Sequence, residues 1–232
     1  MSKPIAVIVG VGDGLSASLA RRLSPEYELH LCARGPDKMR AVAEETGAAT
    51  HLIDGTDAGA TAALFDGLPE APRVAIYNPS ARVHGGIAEL DPVEVRRAVE
   101  ITAFGAFLTA QAAARRMLAA QPDDRGIRGT ILFTGASAGV KGFPRSSVFA
   151  MGKFAQRGLA ESLSRELHPE GIHVAWINID GAIRNPGRSE AADNPDSMLD
   201  PDAIAEAYAG LIAQDRSTWS HELTLRPWVE KF

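Results

Sequence analysis

The sequence predicts a single α/β domain, in which a doubly wound parallel sheet of about seven strands carries helices on both faces. Short apolar runs rich in valine and isoleucine alternate along the chain with amphipathic stretches of helical length. The apolar runs lack the polar–apolar alternation of a half-exposed strand, so both faces of the sheet are expected to be buried. The first run leads directly into a glycine-rich turn and a helix. Residues 1–232 are therefore predicted to form one domain of strand–helix–strand units.

Seven segments have the composition of buried strands: 4–10, 27–34, 49–54, 73–78, 129–135, 172–179 and 221–225. Each places β-branched or aromatic residues in a short run, which favours a strand over a helix. A helix is predicted after the first strand, at 14–24. There Leu15, Leu19 and Leu23 recur every four residues and share one face.

Further helices are predicted between the later strands, at 36–47, 57–68, 91–121, 146–168 and 201–214. Gly47 is expected to end the second helix as a C-cap. Asp91 and Pro92 are expected to begin the 91–121 segment as N-cap and first helical residue, and this segment holds one or two helices. Residues 184–200 contain two prolines and few apolar side chains. This composition predicts a mobile loop or a lid over a substrate.

Composition and charge exclude several functional classes. The net charge is −5 and no long basic run occurs, so broad nucleic-acid binding is not expected. No apolar run approaches the length of about 18 residues that suggests a membrane span. The single cysteine, Cys32, cannot form an internal disulfide and fits a reducing compartment. No cluster of His, Cys and carboxylates has metal-ligand spacing. We expect a cytoplasmic protein without a metal site.

The stretch "VGVGDGLS" follows the first predicted strand and opens the first helix. Gly10, Gly12 and Gly14 would permit a tight turn and a close approach of the backbone to a ligand. The helix that starts near Leu15 would direct free N–H groups and a partial positive charge at a pyrophosphate. Strand, glycine turn and helix in this order predict a dinucleotide site. An ordinary tight turn is the alternative.

The end of the second predicted strand favours NADP(H) over NAD(H). An acidic residue at this place would bind the ribose hydroxyls of NAD, whereas Arg34 can pair with a 2′-phosphate. Asp13, inside the glycine turn, is a mild argument against NADP(H) because an anion there would repel that phosphate. A solvated surface charge is the alternative interpretation of Arg34.

The order of these segments resembles the short-chain dehydrogenase/reductase family over nearly all of the chain, which implies a Rossmann-type fold. Gly10 and Gly14 match the family's glycine motif, although Val9 and Ser16 depart from it. The resemblance implies further cofactor contacts at the ends of later strands, where Asp54 would lie near the adenine. The other contacts that it implies are Asn78, Lys153, Gly181 and Ile183.

The family's reaction uses a tyrosine, a serine, a lysine and an asparagine. The resemblance places Lys153 at the lysine position, where it would hold the nicotinamide ribose. It places Phe149 at the tyrosine position, Ala136 at the serine position and Thr102 at the asparagine position. Because phenylalanine has no ionisable proton, acid–base chemistry at this site would need another donor.

Several residues remain open as replacements. Ser137 follows Ala136, but adjacent strand residues face opposite sides, so Ser137 would need a shift in register to face the site. The other candidate proton donors are Tyr77, His84, Lys141, Ser146 and Ser147. Each has a structural alternative, namely core packing for the tyrosine, exposure for the histidine and lysine, and helix capping for the serines.

Two functions remain open. One is an NADP(H)-dependent oxidoreductase that moves a hydride to or from a small carbonyl, alcohol or activated alkene with a non-standard proton donor. The other is a non-catalytic NADP(H)-binding sensor or partner protein. A purely structural role gives Arg34, Asp54 and Lys153 no joint purpose. The resemblance also implies a homo-oligomer, a dimer or tetramer, formed through helices 100–121 and 146–168.

Overall fold

A computed structural model describes residues 2–230. Its main sheet contains seven parallel strands in the order β3-β2-β1-β4-β5-β6-β9. The strands are β1 Ile5–Val9, β2 Glu28–Ala33, β3 Ala49–Leu52, β4 Val74–Tyr77, β5 Gly129–Thr134, β6 Ile172–Ile179 and β9 Glu222–Leu225. Two short strands, β7 Ala182–Ile183 and β8 Met198–Leu199, form a separate parallel pair. All seven predicted sheet strands are confirmed, with ends within two residues of the prediction.

The helices connect the strands as predicted. They are α1 Leu15–Leu23, α2 Asp37–Thr46, α3 Ala58–Asp66, α4 Pro92–Val99, α5 Gly105–Ala119, α6 Ser147–Leu167 and α7 Pro201–Ala213. Gly47 has a φ of 70° and caps α2, and the Asp91 carboxylate accepts a hydrogen bond from the Val93 N–H at the start of α4. Both predicted caps are confirmed. No helix among residues 2–230 has the length and apolar character needed to cross a bilayer.

Helices cover both faces of the sheet, as expected for strands without polar alternation. On one face Leu19 of α1 and Tyr208 of α7 belong to the apolar core, and on the other face Phe65 of α3 and Met117 of α5 do so. All four side chains are at most 1% exposed. Burial of each such side chain is worth about 1.5–3 kcal/mol, so these two layers hold the strand ends in fixed positions.

The predicted 91–121 segment contains two helices joined by one wide π-helical turn, Glu100–Phe104. The hydroxyl of Tyr77, at the end of β4, donates a hydrogen bond to the Ile101 carbonyl inside this turn. A Cβ on Gly105 would lie within 2.2 Å of the Tyr77 hydroxyl and 2.9 Å of the Gly55 carbonyl. Only glycine therefore lets α5 approach β4 this closely, and the turn delivers Thr102 to the carboxyl edge of the sheet.

The predicted loop 184–200 makes more backbone and side-chain contacts than its composition suggests. β8 lies within its range and pairs with β7, and Leu199 is buried in the core. Arg184 forms an ion pair with Asp200, with 2.7 Å between Nη2 and Oδ2. The Glu190 carboxylate accepts hydrogen bonds from the backbone N–H groups of Asp196 and Met198. The loop is thus closed at its base, a long-range pairing that composition cannot predict.

Candidate functional site

Two adjoining cavities lie along the carboxyl ends of the strands. The turn cavity, about 740 Å³, is lined by the glycine turn after β1 and by the ends of β2, β3 and β4. The lysine cavity, about 490 Å³, is lined by the end of β5, the start of α6 and residues 179–188. Gly14, Leu15, Asn78 and Ser80 line both cavities. A ligand of extended shape could therefore occupy the two together, at the switch point where such sheets bind ligands.

The glycine turn forms the floor of the turn cavity. Gly10 has a φ of +85°, and a Cβ there would lie 2.5 Å from Cγ of Pro79, so this position requires glycine. Ser16, which departs from the glycine motif of the family resemblance, stabilises the turn. Its hydroxyl donates to the Gly10 carbonyl at 3.0 Å and accepts from Asn78 Nδ2 at 2.9 Å. Asn78 therefore positions the turn in addition to lining both cavities.

The first helix offers an anion-binding end. Its N-cap, Gly14, has no side chain to occupy the free N–H groups of the first turn, and that turn contains no acidic residue. Leu15 and Gly12 line the cavity beside it, whereas Asp13 is exposed and does not line either cavity. The partial positive charge of α1 therefore faces the turn cavity with no acidic side chain in the first turn of the helix, while Asp13, one residue before the N-cap, lies outside both cavities.

Two cations lie at the far end of the turn cavity. Arg34 follows β2 and Lys38 lies in the first turn of α2, and both side chains are exposed at the lining. Sequence reasoning found Arg34 but missed Lys38. A lysine four residues after a strand-end arginine was the signal available.

Asp54 lines the same cavity but is already engaged. Its carboxylate accepts hydrogen bonds from the N–H and hydroxyl of Thr56 and from the guanidinium of Arg97. These bonds and the Arg97 charge outweigh the opposing effect of burial and lower the pKa of Asp54. Asp54 is therefore a fixed anion at the cavity wall, held by a residue 43 positions away.

Lys153 lies at the bottom of the lysine cavity, and only 2% of it is exposed. Its ammonium donates to the Thr134 carbonyl at 2.5 Å and to Gln156 Oε1 at 3.2 Å. Burial, and then the positive charge of Arg82, lower the pKa of Lys153 to about 7. Near neutral pH this side chain can therefore hold or release a proton.

Thr102 and Gln156 form the support behind the lysine. Gln156 Nε2 donates to the Thr102 carbonyl at 3.1 Å, and the Thr102 hydroxyl accepts from the Ala81 N–H at 3.0 Å. A Cβ on Gly152 would lie 2.9 Å from Cβ of Thr102, so α6 and the π-helical turn are in direct contact. Gln156 was missed in the sequence, because only the packing of α6 shows which of its polar residues face the site.

Phe149, Ala136 and Ser137 all line the lysine cavity. Ser137 thus lines the cavity although adjacent residues of a strand would face opposite sides. The strand β5 ends at Thr134 and residues 137–139 form a 3₁₀ turn. The alternation of strand side chains therefore does not hold beyond Thr134, and both Ala136 and Ser137 line the same wall.

Arg82 and Arg188 also line the lysine cavity and were missed in the sequence. The guanidinium of Arg82 stacks on the Phe149 ring, with 4.1 Å from Cζ to the ring centroid. Neither arginine belongs to a motif, so no local signal identified them. Gly181 and Ile183, which the resemblance implies as cofactor contacts, also line this cavity. They follow Asp180, which forms an ion pair with Arg226 at 3.1 Å.

The candidate proton donors differ in position. Tyr77 is 1% exposed and lines the turn cavity rather than the lysine cavity. Burial raises the pKa of Tyr77 far above its ordinary value, so it acts as an anchor for the π-helical turn. Of the others, Ser146 lines the lysine cavity, as Ser137 does. His84 and Lys141 line neither cavity, and Ser147 faces an apolar groove between α4 and α6.

The fold and site define the class as a Rossmann-type α/β protein with a ligand cleft at the switch point of the sheet. Residues 4–193 match the family model described as short chain dehydrogenase. The chain belongs to the short-chain dehydrogenase family.

Similar proteins cover most of the chain. L-2,3-butanediol dehydrogenase of Corynebacterium glutamicum is 26% identical over 92% of this chain and 91% of its own length. Among solved structures, a short-chain dehydrogenase from Rhodopseudomonas palustris is 28% identical, with a TM-score of 0.80 over 97% of this chain and 99% of that one. A metagenomic short-chain oxidoreductase solved in complex with NADP is 25% identical, with a TM-score of 0.83 over 99% of both chains.

Proposed function

We propose that this protein is an NADP(H)-dependent oxidoreductase for small organic substrates, acting without the family's tyrosine. The observation that carries the proposal is that the two cavities adjoin, share lining residues and together contain the cationic groups of the site. An uncapped helix end and the Arg34–Lys38 pair line one cavity, Lys153 lines the other, and Gly14, Leu15, Asn78 and Ser80 are shared. Relatives of this fold include one solved with NADP.

The residues of the turn cavity fit a phosphorylated dinucleotide. Gly10 and Pro79 leave no space for a side chain at the turn, so the backbone itself would face the pyrophosphate. Arg34 and Lys38 would bind a 2′-phosphate through charge-assisted hydrogen bonds. Asp54, held by Arg97, would line the adenine end. Gly181 and Ile183 would close the other end beside Lys153.

At the lysine cavity the bound nicotinamide would supply or accept a hydride. When a carbonyl is reduced, its carbon gains that hydride and its oxygen gains a proton. Phe149, which the family resemblance places at the tyrosine position, cannot give this proton. Lys153, Ser137, Ser146 and water are the remaining sources at the wall, and Lys153 has a pKa suited to transfer near neutral pH. Activated alkenes need such an acid less than simple ketones do.

The first test is a parallel fluorescence titration with NADPH and NADH, on the wild type and on Arg34→Ala. Loss of a charged phosphate contact should weaken NADPH binding about 10- to 100-fold and leave NADH binding nearly unchanged. Arg40→Ala is the matched control, because Arg40 is an exposed arginine of the neighbouring helix α2 that pairs with Asp37 and lines neither cavity. Equal affinity for both cofactors in every variant would reject the NADP(H) preference, and no binding of either would reject the function.

A non-catalytic sensor is the second candidate. The Phe149 ring lies under Arg82 and has no proton to exchange, which favours this candidate. Only the oxidoreductase would transfer a hydride to a substrate. The protein would be incubated with NADPH deuterated at C4 and with ketones, aldehydes and activated alkenes, and products would be analysed by mass spectrometry. Deuterium in any product supports the oxidoreductase. Tight NADPH binding without transfer across the panel supports the sensor.

We also propose that α5 and α6 pair with a second copy of the chain. Phe104, Phe107, Met151 and Phe154 are each 40–48% exposed on the adjoining segments. Large apolar side chains gathered on one face indicate an interaction surface. Light scattering coupled to size exclusion should give a dimer or tetramer. A double Phe107→Glu, Phe154→Glu variant should then be monomeric.

A further inference from the structure

Three cationic side chains and no carboxylate line the lysine cavity. The cations are Arg82, Lys153 and Arg188, and none of the described lining residues is Asp or Glu. The whole chain carries a net charge of −5, so this cavity is an exception on an acidic protein. A positive cavity at the reaction end would attract one sign of substrate.

The two arginines have no counter-ion. Within residues 2–230, neither guanidinium is engaged in a hydrogen bond or an ion pair, and Arg82 has only its contact with the Phe149 ring. Nearby arginines behave differently. Arg184, in the same loop as Arg188, is paired with Asp200, and Arg157 is paired with Glu222 at 2.8 Å. The unpaired guanidiniums therefore remain available to a ligand.

The surroundings of Arg82 make an anion favourable there. Partial desolvation by its neighbours, and then the positive charge of Arg188, lower the pKa of Arg82 although its side chain stays exposed, and no acidic group contributes to this shift. The long helix α6 begins at this wall with Ser146 as N-cap. Its first turn contains no acidic residue, so the positive end of its dipole adds to the field.

We propose that the substrate is a carboxylate, bound by Arg82 and Arg188 and held with its apolar part against Phe149. A guanidinium binds a carboxylate with two parallel hydrogen bonds, which fixes orientation as well as affinity. The ring contact holds Arg82 over Phe149, and Arg188 approaches from the 184–200 loop. Phe149 thus acts as a platform for the recognition group. This inference rests on the proposed function, since it names the substrate class of the same site.

Cofactor phosphates are the competing ligand for these arginines. Arg82 and Arg188 line the lysine cavity and not the turn cavity, where the end of α1 and the Arg34–Lys38 pair already provide positive charge. If they served the cofactor instead, their removal would weaken NADPH binding. The two assignments therefore predict different results for the same variants.

The experiment measures carboxylate and cofactor binding separately. Calorimetric titrations are run on the protein with and without saturating NADPH. The ligands are pyruvate, succinate and benzoate, together with benzamide as the uncharged analogue of benzoate. The variants are Arg82→Gln and Arg188→Gln. Arg184→Gln is the control from the same loop, because its side chain is already paired. Thermal melting establishes that each variant is folded, which is expected because all three side chains are exposed.

At least one carboxylate should bind, and benzoate should bind at least about 10-fold more tightly than benzamide. Arg82→Gln and Arg188→Gln should each weaken carboxylate binding by about 10-fold or more, with NADPH affinity unchanged within about threefold. Arg184→Gln should match the wild type.

Absence of carboxylate binding up to about 10 mM in both cofactor states overturns the inference but leaves the proposed function intact. Equal loss of NADPH and carboxylate affinity in the arginine variants also overturns it, since the arginines would then hold cofactor phosphates. The protein could bind a carboxylate through both arginines and yet fail to bind NADPH. That result would support the anion site and reject the redox function.

Discussion

The guanidinium of Arg82 lies over the ring of Phe149, with its Cζ 4.1 Å from the ring centroid. This pair joins the loop after β4 to the first turn of α6 and closes the wall of the lysine cavity. An arginine over an aromatic face is stabilised by the ring quadrupole. The residue at the tyrosine position of the family resemblance therefore supports a cation instead of exchanging a proton.

Phe149→Tyr should increase turnover. A phenol at this position would lie beside Arg82 and near Lys153, and their positive charges would lower its pKa toward the working range. Restored acid catalysis is worth about 10²- to 10⁴-fold, so kcat for a ketone substrate should rise by about 100-fold or more. Phe154→Tyr is the matched control, because Phe154 lies on the same helix but is 46% exposed outside the cavity. An unchanged kcat in Phe149→Tyr would show that proton transfer does not limit the reaction.

Gly10→Ala should destabilise the fold, whereas Gly12→Ala should not. At Gly10 a Cβ would overlap Pro79 and the backbone has a φ of +85°, while a Cβ at Gly12 meets no atom within 4 Å. The strained backbone and the overlap together should lower the free energy of unfolding by about 2–4 kcal/mol. Urea denaturation of the two variants measures the difference. Equal stabilities would contradict the geometry of the turn.

Lys153→Met should change how stability depends on pH. The folded-state pKa of Lys153 is lowered to about 7 from an ordinary 10.5, so between these values the folded protein binds fewer protons than the unfolded one. Wild-type stability should therefore rise with pH across this window, relative to the variant, by at most about 1.4 kcal/mol per pH unit. Urea unfolding at several pH values from neutral to alkaline tests this. Parallel curves for the two proteins would mean that Lys153 keeps its ordinary pKa.

Acidification below neutral pH should destabilise the protein through His168 and His173. Burial lowers the pKa of both, and the His173 ring stacks on Trp219 with 4.9 Å between centroids. Because the folded state resists protonation, stability should be lost as the pH falls below the ordinary value near 6.5. The double variant His168→Gln, His173→Gln should show a smaller loss of Tm between pH 7 and pH 5. His84→Gln, at an exposed position, should follow the wild type.

The predicted strands and helices agree with the structure because each depends on local sequence. The spacing of Leu15, Leu19 and Leu23 fixed the buried face of α1, and Asp91 with Pro92 fixed the start of α4. Strand periodicity gives no guide past the end of a strand. Ser137 was expected to need a shift in register to face the site, and in the structure it begins a 3₁₀ turn after β5 and lines the cavity.

The sequence by itself determined the order of elements and the glycine turn, and it singled out Lys153 and Phe149 as candidate site residues. Only the tertiary structure decided that Arg82 and Arg188 enter the same cavity, that Tyr77 anchors the π-helical turn, and that Lys153 is buried against the Thr134 carbonyl. The physical reason is how far apart in the sequence the interacting residues lie. Helices, caps and turns arise from neighbours along the chain, whereas the charge and burial of the site arise where distant segments pack together.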